Sequence, residues 1–286
     1  LFNLAGIIDD HEIKISHVIR GEDHLSNMPK QILLQRALGF EEPLWAHLPL
    51  ILGKDRSKLS KRGGATSVNE YKSLGYLPEA ILNFMILMGW HAEDDEKEIL
   101  STKEMIEEFT LSRIQKSGAI FDKEKLDWLN GYYIRSMDKN KLAELLMPYL
   151  ANISKEDAIK ITALEQERLK TLGEINEKTS YLFKEPEYDI ELLSWQGKQQ
   201  MQDVAENLDK IIKVLDSIKP SDFNESQLSA NIMPIAEKQG RGELLWPLRA
   251  ALSGSKASPG PFEILAVLGK DKSIKRLKNA KKRIKL

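Results

Sequence analysis

Cysteine is absent from the sequence, which excludes disulfide cross-links and any cysteine-ligated zinc. That absence is consistent with a reducing compartment. The five histidines, His11, His17, His24, His47 and His91, show no HExxH-like spacing, so no structural metal is expected. No apolar run approaches the ~20 residues that a membrane-spanning helix needs, and no stretch has the pattern of a secretory signal. An excess of one charge is lacking too: 42 Lys and Arg stand against 43 Asp and Glu, for a net charge of −1. Overall charge therefore neither suggests nor excludes a nucleic-acid partner, and only local clustering can. There is no fixed-period repeat and no long low-complexity tract.

What is present is enough chain, 286 residues, for a sizeable core and two or three domains. The first residue is Leu, inside an apolar segment, so the chain is expected to be a piece of a longer protein. "IKISHVIRGEDH" (13–24) alternates through β-branched residues, predicting a strand that ends in the polar turn Gly21-Glu22-Asp23-His24. "NMPKQILLQRALGF" predicts a helix with Pro29 near its start and Gly39 as its stop. "LWAHLPLIL" (44–52) reads as a buried strand, and "SKLSKRGGA" (57–65) follows at once. Strand, helix, strand and cationic loop make half of a parallel α/β sheet, a fold that binds ligands at the carboxyl ends of its strands.

From Val68 onward the pattern is almost entirely helical. "LPEAILNFMILMGW" (77–90) has Pro78 near its start and Gly89 at its end, and "STKEMIEEF" (101–109) opens on an N-cap signature. "DKEKLDWLNGYYI" (122–134) predicts a helix up to Gly131. Three or more amphipathic helices fall within 138–216, residues 220–229 read as a linker, and "NIMPIAEKQG", "LWPLRAAL" and "GPFEILAVLG" read as short helices broken by Pro and Gly. Residues 270–286 carry nine Lys or Arg and one Asp, with Ile274, Leu277 and Ile284 on one helix face. That stretch reads either as a solvated helix end or as a contact for a phosphate backbone.

Lysine ammonium groups in a loop that closes over a triphosphate meet the charge that grows as the α-phosphate is attacked and pyrophosphate leaves. Gly63 and Gly64 would let such a loop reposition. The alternative is an ordinary solvated basic turn. The blocks "HVIRGEDHLSNMPKQ", "KLSKRGGATSV", "GYLPEAILNFMILMGW" and "FDKEKLDWLNGYYI", in this order, resemble the bacterial-type glutamyl-tRNA synthetases, and Lys58-Leu59-Ser60-Lys61-Arg62 resembles the second signature motif of class I aminoacyl-tRNA synthetases. The resemblance implies a mainly α chain: the carboxyl-terminal half of a Rossmann-type catalytic domain (1–67), a helical stem-contact domain (68–135), and an all-helical anticodon-binding region (136–286, with possible subdomains 136–220 and 221–286). The family's amino-terminal half, with its His-Ile-Gly-His-type motif, has no counterpart in the sequence.

Residue roles follow from the same resemblance. Lys58, Ser60, Lys61 and Arg62 would serve catalysis, with Lys61 first in contact with the triphosphate. Arg20 would bind the carboxylate of glutamate in a bidentate fit; the alternative is an ion pair with Glu22 or Asp23. Phe2 falls where the family often has tyrosine, leaving it a packing role. Asp23, His24, Leu50 and Ile51 would line the ATP site, the last two around adenine. Arg249, Ser258, Pro259 and Pro261 would face anticodon bases, while Trp128, Trp195 and Trp246 are expected in the core or at domain interfaces.

The implied function is that of a cytoplasmic, monomeric glutamate–tRNA ligase. It would use ATP with Mg²⁺, glutamate and tRNA(Glu), without protein-bound zinc or a membrane. This chain is expected to bind tRNA without forming the adenylate alone. The rival readings are a standalone anticodon-binding module, a glutaminyl-tRNA synthetase relative, whose anticodon domain would be a β-barrel, and, more distantly, a helical scaffold.

Overall fold

The computed structural model describes residues 2–59, 67–94, 96–150 and 153–284. The chain forms two compact units, Leu1–Tyr133 and Ile134–Leu286.

The first unit opens with α1 (Phe2–Ile13), β1 (His17–Gly21), a 3₁₀ turn over Glu22–Asn27, α2 (Met28–Leu38) and β2 (Leu44–Leu48). β1 and β2 pair in parallel, with His17 opposite Leu44 and Gly21 opposite Leu48. Parallel neighbours need a crossover, and α2 supplies it. Its Gly39 cap takes a left-handed conformation, φ 69°, which glycine adopts without steric cost. The strand predicted over 13–24 is shorter than its alternation suggested, because Ile13 closes α1 and Lys14 turns the chain at φ 61°. The second strand is neither as long nor as buried as predicted. Pro49 offers no N–H to the ladder, so pairing stops at Leu48, and Leu44 is 65% exposed.

Beyond β2 the chain makes a small arch. Leu52 bridges to Lys58 and also to Ile120. Gly53 N–H donates to the Ser57 carbonyl at 2.8 Å, and the Asp55 carboxylate accepts from the Ser57 N–H and hydroxyl. At Gly118 an added Cβ would lie 2.8 Å from the Leu50 carbonyl, so only glycine lets the two segments pass this closely. The arch thus fixes the point from which Lys58 projects.

Next come α3 (Val68–Ser73), α4 (Pro78–Leu87), α5 (Thr102–Glu108) and α6 (Lys123–Arg135). Ser67 with Glu70 and Ser101 with Glu104 close full capping boxes at α3 and α5. Tyr76, Phe84, Leu126 and Leu129 form one apolar cluster, and Trp90, Ala92, Leu100 and Met105 another. Asn83, fully buried, ties these parts together. Its amide donates to the Glu98 carbonyl while its oxygen accepts from Leu100 N–H and the Tyr133 hydroxyl. α6 does not stop at Gly131 as predicted. A mid-helix glycine costs about 1 kcal/mol, less than the roughly 1.5–3 kcal/mol gained by burying an isoleucine such as Ile134, which is fully buried.

The second unit comprises α7 (Lys139–Leu146), α8 (Lys155–Glu165), α9 (Ile175–Phe183), α10 (Met201–Ser217), α11 (Glu225–Gln239), α12 (Arg241–Ser253), α13 (Pro261–Leu268) and α14 (Lys270–Ile284), with short 3₁₀ turns between several of them. α10 shows how the pattern builds the core: Val204, Leu208, Ile211 and Leu215 recur at helical spacing and all are fully buried, against α12 and α14. Two expectations fail here. Residues 220–229 are not a linker throughout, since Asn224 caps α11 by accepting from Gln227 N–H and Leu228 is buried. Nor does proline break the later helices: α11 runs through Pro234 and α12 through Pro247.

The reason is visible at Pro247. Proline has no N–H for the carbonyl four residues earlier, that of Glu243. Gln199 Nε2 and Asn207 Nδ2 donate to that carbonyl instead, at 3.1 and 3.2 Å. Two side chains from outside the helix thereby replace the missing bond. A similar device anchors α14. Arg276 is 7% exposed, and its guanidinium donates to the carbonyls of Leu252, Tyr181 and Lys184, at the carboxyl ends of α12 and α9. A cation is favoured there because the last carbonyls of a helix are unsatisfied and carry partial negative charge. Among the described residues no helix is long and apolar enough to cross a membrane.

Candidate functional site

The carboxyl end of β1 gathers charged and ring-bearing side chains. Arg20 projects from it beside His47 of β2. Its Nη2 donates to Gln31 Oε1 at 2.7 Å and to the His24 carbonyl at 3.4 Å, its Nε lies 3.4 Å from His47 Nε2, and its guanidinium carbon sits 4.9 Å from the centre of the Trp45 ring. Every one of these partners is neutral or an aromatic face. The ion pair with Glu22 or Asp23 is not formed, and among the described residues no carboxylate lies within ion-pair distance of Arg20. Burial and then the Arg20 charge hold His47 below the usual histidine range, so its ring stays neutral at pH 7. Arg20 is thus held in place with its charge uncompensated.

The two acids of the turn are engaged elsewhere. Glu22 Oε1 accepts from Leu50 N–H at 3.1 Å, tying the turn to the chain after β2. Asp23 Oδ2 accepts from Lys58 Nζ at 3.0 Å, and that bond, with the lysine's charge, lowers the Asp23 carboxyl from its ordinary value. Ile51 C=O takes the Leu59 N–H at 2.9 Å. The Leu50 N–H and the Ile51 carbonyl are thereby both occupied. Phe2, 68% exposed, stacks against His24 with ring centroids 6.2 Å apart. Ser60, Lys61 and Arg62 lie outside the described residues.

A second constellation lies wholly in the second unit, around the loop joining α12 and α13. Arg249 Nη2 donates to the Lys256 carbonyl at 3.0 Å, and Nη1 donates to the Ser258 carbonyl at 3.3 Å. Its guanidinium also covers the Trp246 ring at 4.7 Å. Ser258 and Pro259 are largely buried and chiefly shape the loop, Ser258 keeping an edge on the cleft beside it, whereas Pro261 is half-buried at the start of α13. Two clefts flank the loop. One, of about 530 Å³, is lined by Arg168, Tyr181, Lys184, Ser253 and Ser258. The other, of about 720 Å³, is lined by Tyr188, Trp195, Trp246 and Lys256.

On the floor of the first cleft Glu165 is 1% exposed, with Arg168 Nε 3.3 Å from one oxygen and the Tyr181 hydroxyl 3.4 Å from the other. Burial raises its pKa above the ordinary glutamate value despite the arginine. Trp195 and Trp246 pack 5.2 Å apart, and Trp246 Nε1 donates to the Leu192 carbonyl at 2.7 Å. Trp128, expected inside, is 46% exposed. Among the described residues no cluster of His, Asp and Glu could hold a metal ion.

Comparison with known families matches residues 1–128 to the catalytic domain of class I tRNA synthetases (E and Q), and residues 141–281 to an anticodon-binding domain. The glutamate–tRNA ligase 2 of Thermoanaerobacter pseudethanolicus is 42% identical over 288 residues, covering 98% of this chain and 59% of that protein. The glutamate–tRNA ligase of Moorella thermoacetica is 40% identical over 294 residues, again covering 98% of this chain and 59% of the relative. The crystal structure of a glutamate tRNA ligase from Elizabethkingia meningosepticum superposes with a TM-score of 0.86 at 33% identity, over 99% of this chain and 60% of that one. The chain thus matches, in order, a class I tRNA synthetase catalytic domain and an anticodon-binding domain. It spans about three fifths of the length of the relatives it matches.

The structure brings Arg20, Asp23, His24 and Lys58 to one strand end and sets Arg249 behind the α12–α13 loop. Two residues that sequence reasoning missed stand beside them. Gln31 anchors Arg20 from eleven positions away, on the first turn of α2, and no pattern in the sequence around it marks that role. Arg168 lines the cleft next to the loop, and no local pattern marks it.

Proposed function

We propose that this chain carries the strand-end part of the active site and the anticodon-reading region of a cytoplasmic, monomeric glutamate–tRNA ligase. The observation that carries the proposal is Arg20, a cation held by neutral partners at the end of a parallel strand, beside the Asp23–Lys58 pair. Such an arginine accepts a carboxylate in a planar two-point fit and disfavours the amide of glutamine. The domain assignment belongs to the proposal: 1–67 catalytic, 68–135 stem contact, 136–286 anticodon binding. The absence of any strand among the described residues of the second unit supports the glutamyl reading over a glutaminyl relative with a β-barrel.

In the whole protein an oxygen of the glutamate α-carboxylate attacks the α-phosphorus of ATP, which enters with Mg²⁺ as its counter-ion. The bond to pyrophosphate breaks and glutamyl-adenylate forms. A terminal ribose hydroxyl of tRNA(Glu) then attacks the acyl carbon, and AMP leaves. The protein contributes position and charge: Arg20 fixes the side-chain carboxylate, and Lys58, with Ser60, Lys61 and Arg62, meets the triphosphate. Asp23, His24, Leu50 and Ile51 surround the nucleotide, with Phe2 as packing. Arg249 holds the loop bearing Ser258, Pro259 and Pro261 for base contact, and Arg168 offers a guanidinium to a base edge in the adjoining cleft.

The test is glutamate-dependent pyrophosphate exchange with tRNA(Glu) present, in the full-length protein. Arg20→Ala should raise KM for glutamate at least tenfold while leaving tRNA affinity unchanged. Unaltered glutamate dependence would refute the assignment. The chain of 286 residues by itself should bind tRNA without supporting exchange.

A further inference from the structure

The overall charge is −1, yet α14 segregates its cations. Its inner face is fixed at several points. Arg276 holds three carbonyls, Lys270 Nζ donates to the carbonyls of Asp216 and Ile218 at the end of α10, and Lys281 pairs with Asp209. Ile274, Leu277 and Ala280 complete that buried face. The outer face carries Lys272, Lys275, Lys278 and Lys282, all exposed. Among the described residues none of the four is within ion-pair distance of a carboxylate: Asp209 holds Lys281, Glu185 accepts from Asn279, and Asp271 on the same helix forms no ion pair with them.

We infer that this lysine stripe is a sequence-independent docking surface for the sugar-phosphate backbone of RNA. At about 1.5 Å per residue the four ammonium groups span roughly 15 Å along a rigid helix, a row of point charges suited to successive phosphates of one strand. An anionic bilayer is a poorer fit. A helix lying on a membrane needs apolar side chains beside its cations, and the apolar residues of α14 point inward. The stripe also leads toward the loop described above: Arg283, one residue beyond Lys282, stacks on Tyr188 at 4.6 Å, and Tyr188 lines a cleft with Lys256. The tRNA as natural partner rests on the proposed function; the electrostatic surface does not.

The test is the salt dependence of RNA binding by the chain, read by fluorescence anisotropy, for the wild type and for a variant carrying Lys→Gln at positions 272, 275, 278 and 282. Each neutralised phosphate contributes about 0.7–0.9 to the slope of log K against log salt. The variant should therefore lose about 3–3.5 from the slope and, with affinity at 1 M salt unchanged, bind roughly 1,000-fold more weakly near 0.1 M salt. The loss should be equal for tRNA(Glu) and for an unrelated tRNA. Lys→Arg at the same four positions should restore the slope, which separates charge from any folding defect. Parallel slopes for wild type and variant, or tighter binding to phosphatidylserine vesicles than to tRNA at equal salt, would overturn the inference. If the wild type shows no preference for tRNA(Glu) but the slopes still differ, the stripe stands and the anticodon-reading proposal falls.

Discussion

The segment before the arch and the second unit solve opposite problems. Between Phe2 and Leu59, Ile7 is the one fully buried aliphatic side chain among the described residues, while Ile13, Leu25, Leu33 and Leu44 are each more than half exposed. Order at Arg20 and Asp23 therefore comes from polar contacts: Gln31, the His24 carbonyl, His47, Lys58. The second unit buries isoleucine and leucine on nearly every helix and uses polar side chains, those of Arg276, Gln199 and Asn207, to satisfy carbonyls at helix ends and at a proline. In one region hydrogen bonds aim a charge; in the other they repair a core.

The largest effect should fall on the second unit. Arg276→Met removes the donor from the buried carbonyls of Leu252 and Tyr181 and from the partly buried one of Lys184, at two helix ends. Each orphaned group costs roughly 1–3 kcal/mol, so urea unfolding of the chain should show a loss of about 3–5 kcal/mol for this unit. A loss below about 1 kcal/mol would mean that the core, not the guanidinium, holds α14 in place.

The contrasting test in the first unit changes charge without removing atoms. Gln31→Glu keeps the shape of the Arg20 anchor but gives the guanidinium an internal carboxylate. If the neutral cradle matters, KM for glutamate in the full-length protein should rise by about 10- to 100-fold, or ~1.4–2.7 kcal/mol, with stability little changed. Gln31→Met, which removes the anchor and adds no charge, should raise KM less. Equal effects of the two would show that Gln31 acts through position alone.

A smaller effect tests the repair at Pro247. Asn207→Ala removes one of two donors to the Glu243 carbonyl and should cost about 1 kcal/mol. In the background of Pro247→Ala, which returns a helical N–H to that carbonyl, the cost should shrink. Additive losses would show that the side chains do not compensate for the proline.

These cases also mark what the sequence could and could not disclose. Local chemistry was legible: the glycine stop at Gly39, the capping box from Ser101 to Glu104, the parallel pair of strands with a cationic loop after them. Pro247 misled because its compensation comes from Gln199 and Asn207, some forty residues away, and no window around it contains them. Gly131 misled because burial of Ile134 outweighs a local propensity. At the candidate site the signature residues could be named from motifs, but what holds them could not, since Gln31 and Arg168 carry no pattern of their own. Burial of Ser258 and Pro259 likewise depends on how α12 and α13 close over the loop.

The Asp23–Lys58 pair at the strand end is open to solvent on both sides. The folded Asp23 carboxyl titrates below its ordinary value because Lys58 donates to it. A depressed carboxylate pKa stabilises the folded form at pH above the unfolded value and loses that contribution as pH falls through the folded one. Both side chains are substantially exposed, so the effect on global stability should be negligible, and the readout must be local. Carbon-detected NMR of the Asp23 carboxyl should place its midpoint below that of an exposed aspartate, and Lys58→Met should move it upward. ATP added to the full-length protein should shift the same resonance upward as well, because a lysine drawn toward a triphosphate releases the carboxylate. An Asp23 midpoint indifferent to Lys58→Met would show that the pair does not hold the base of the cationic loop in solution.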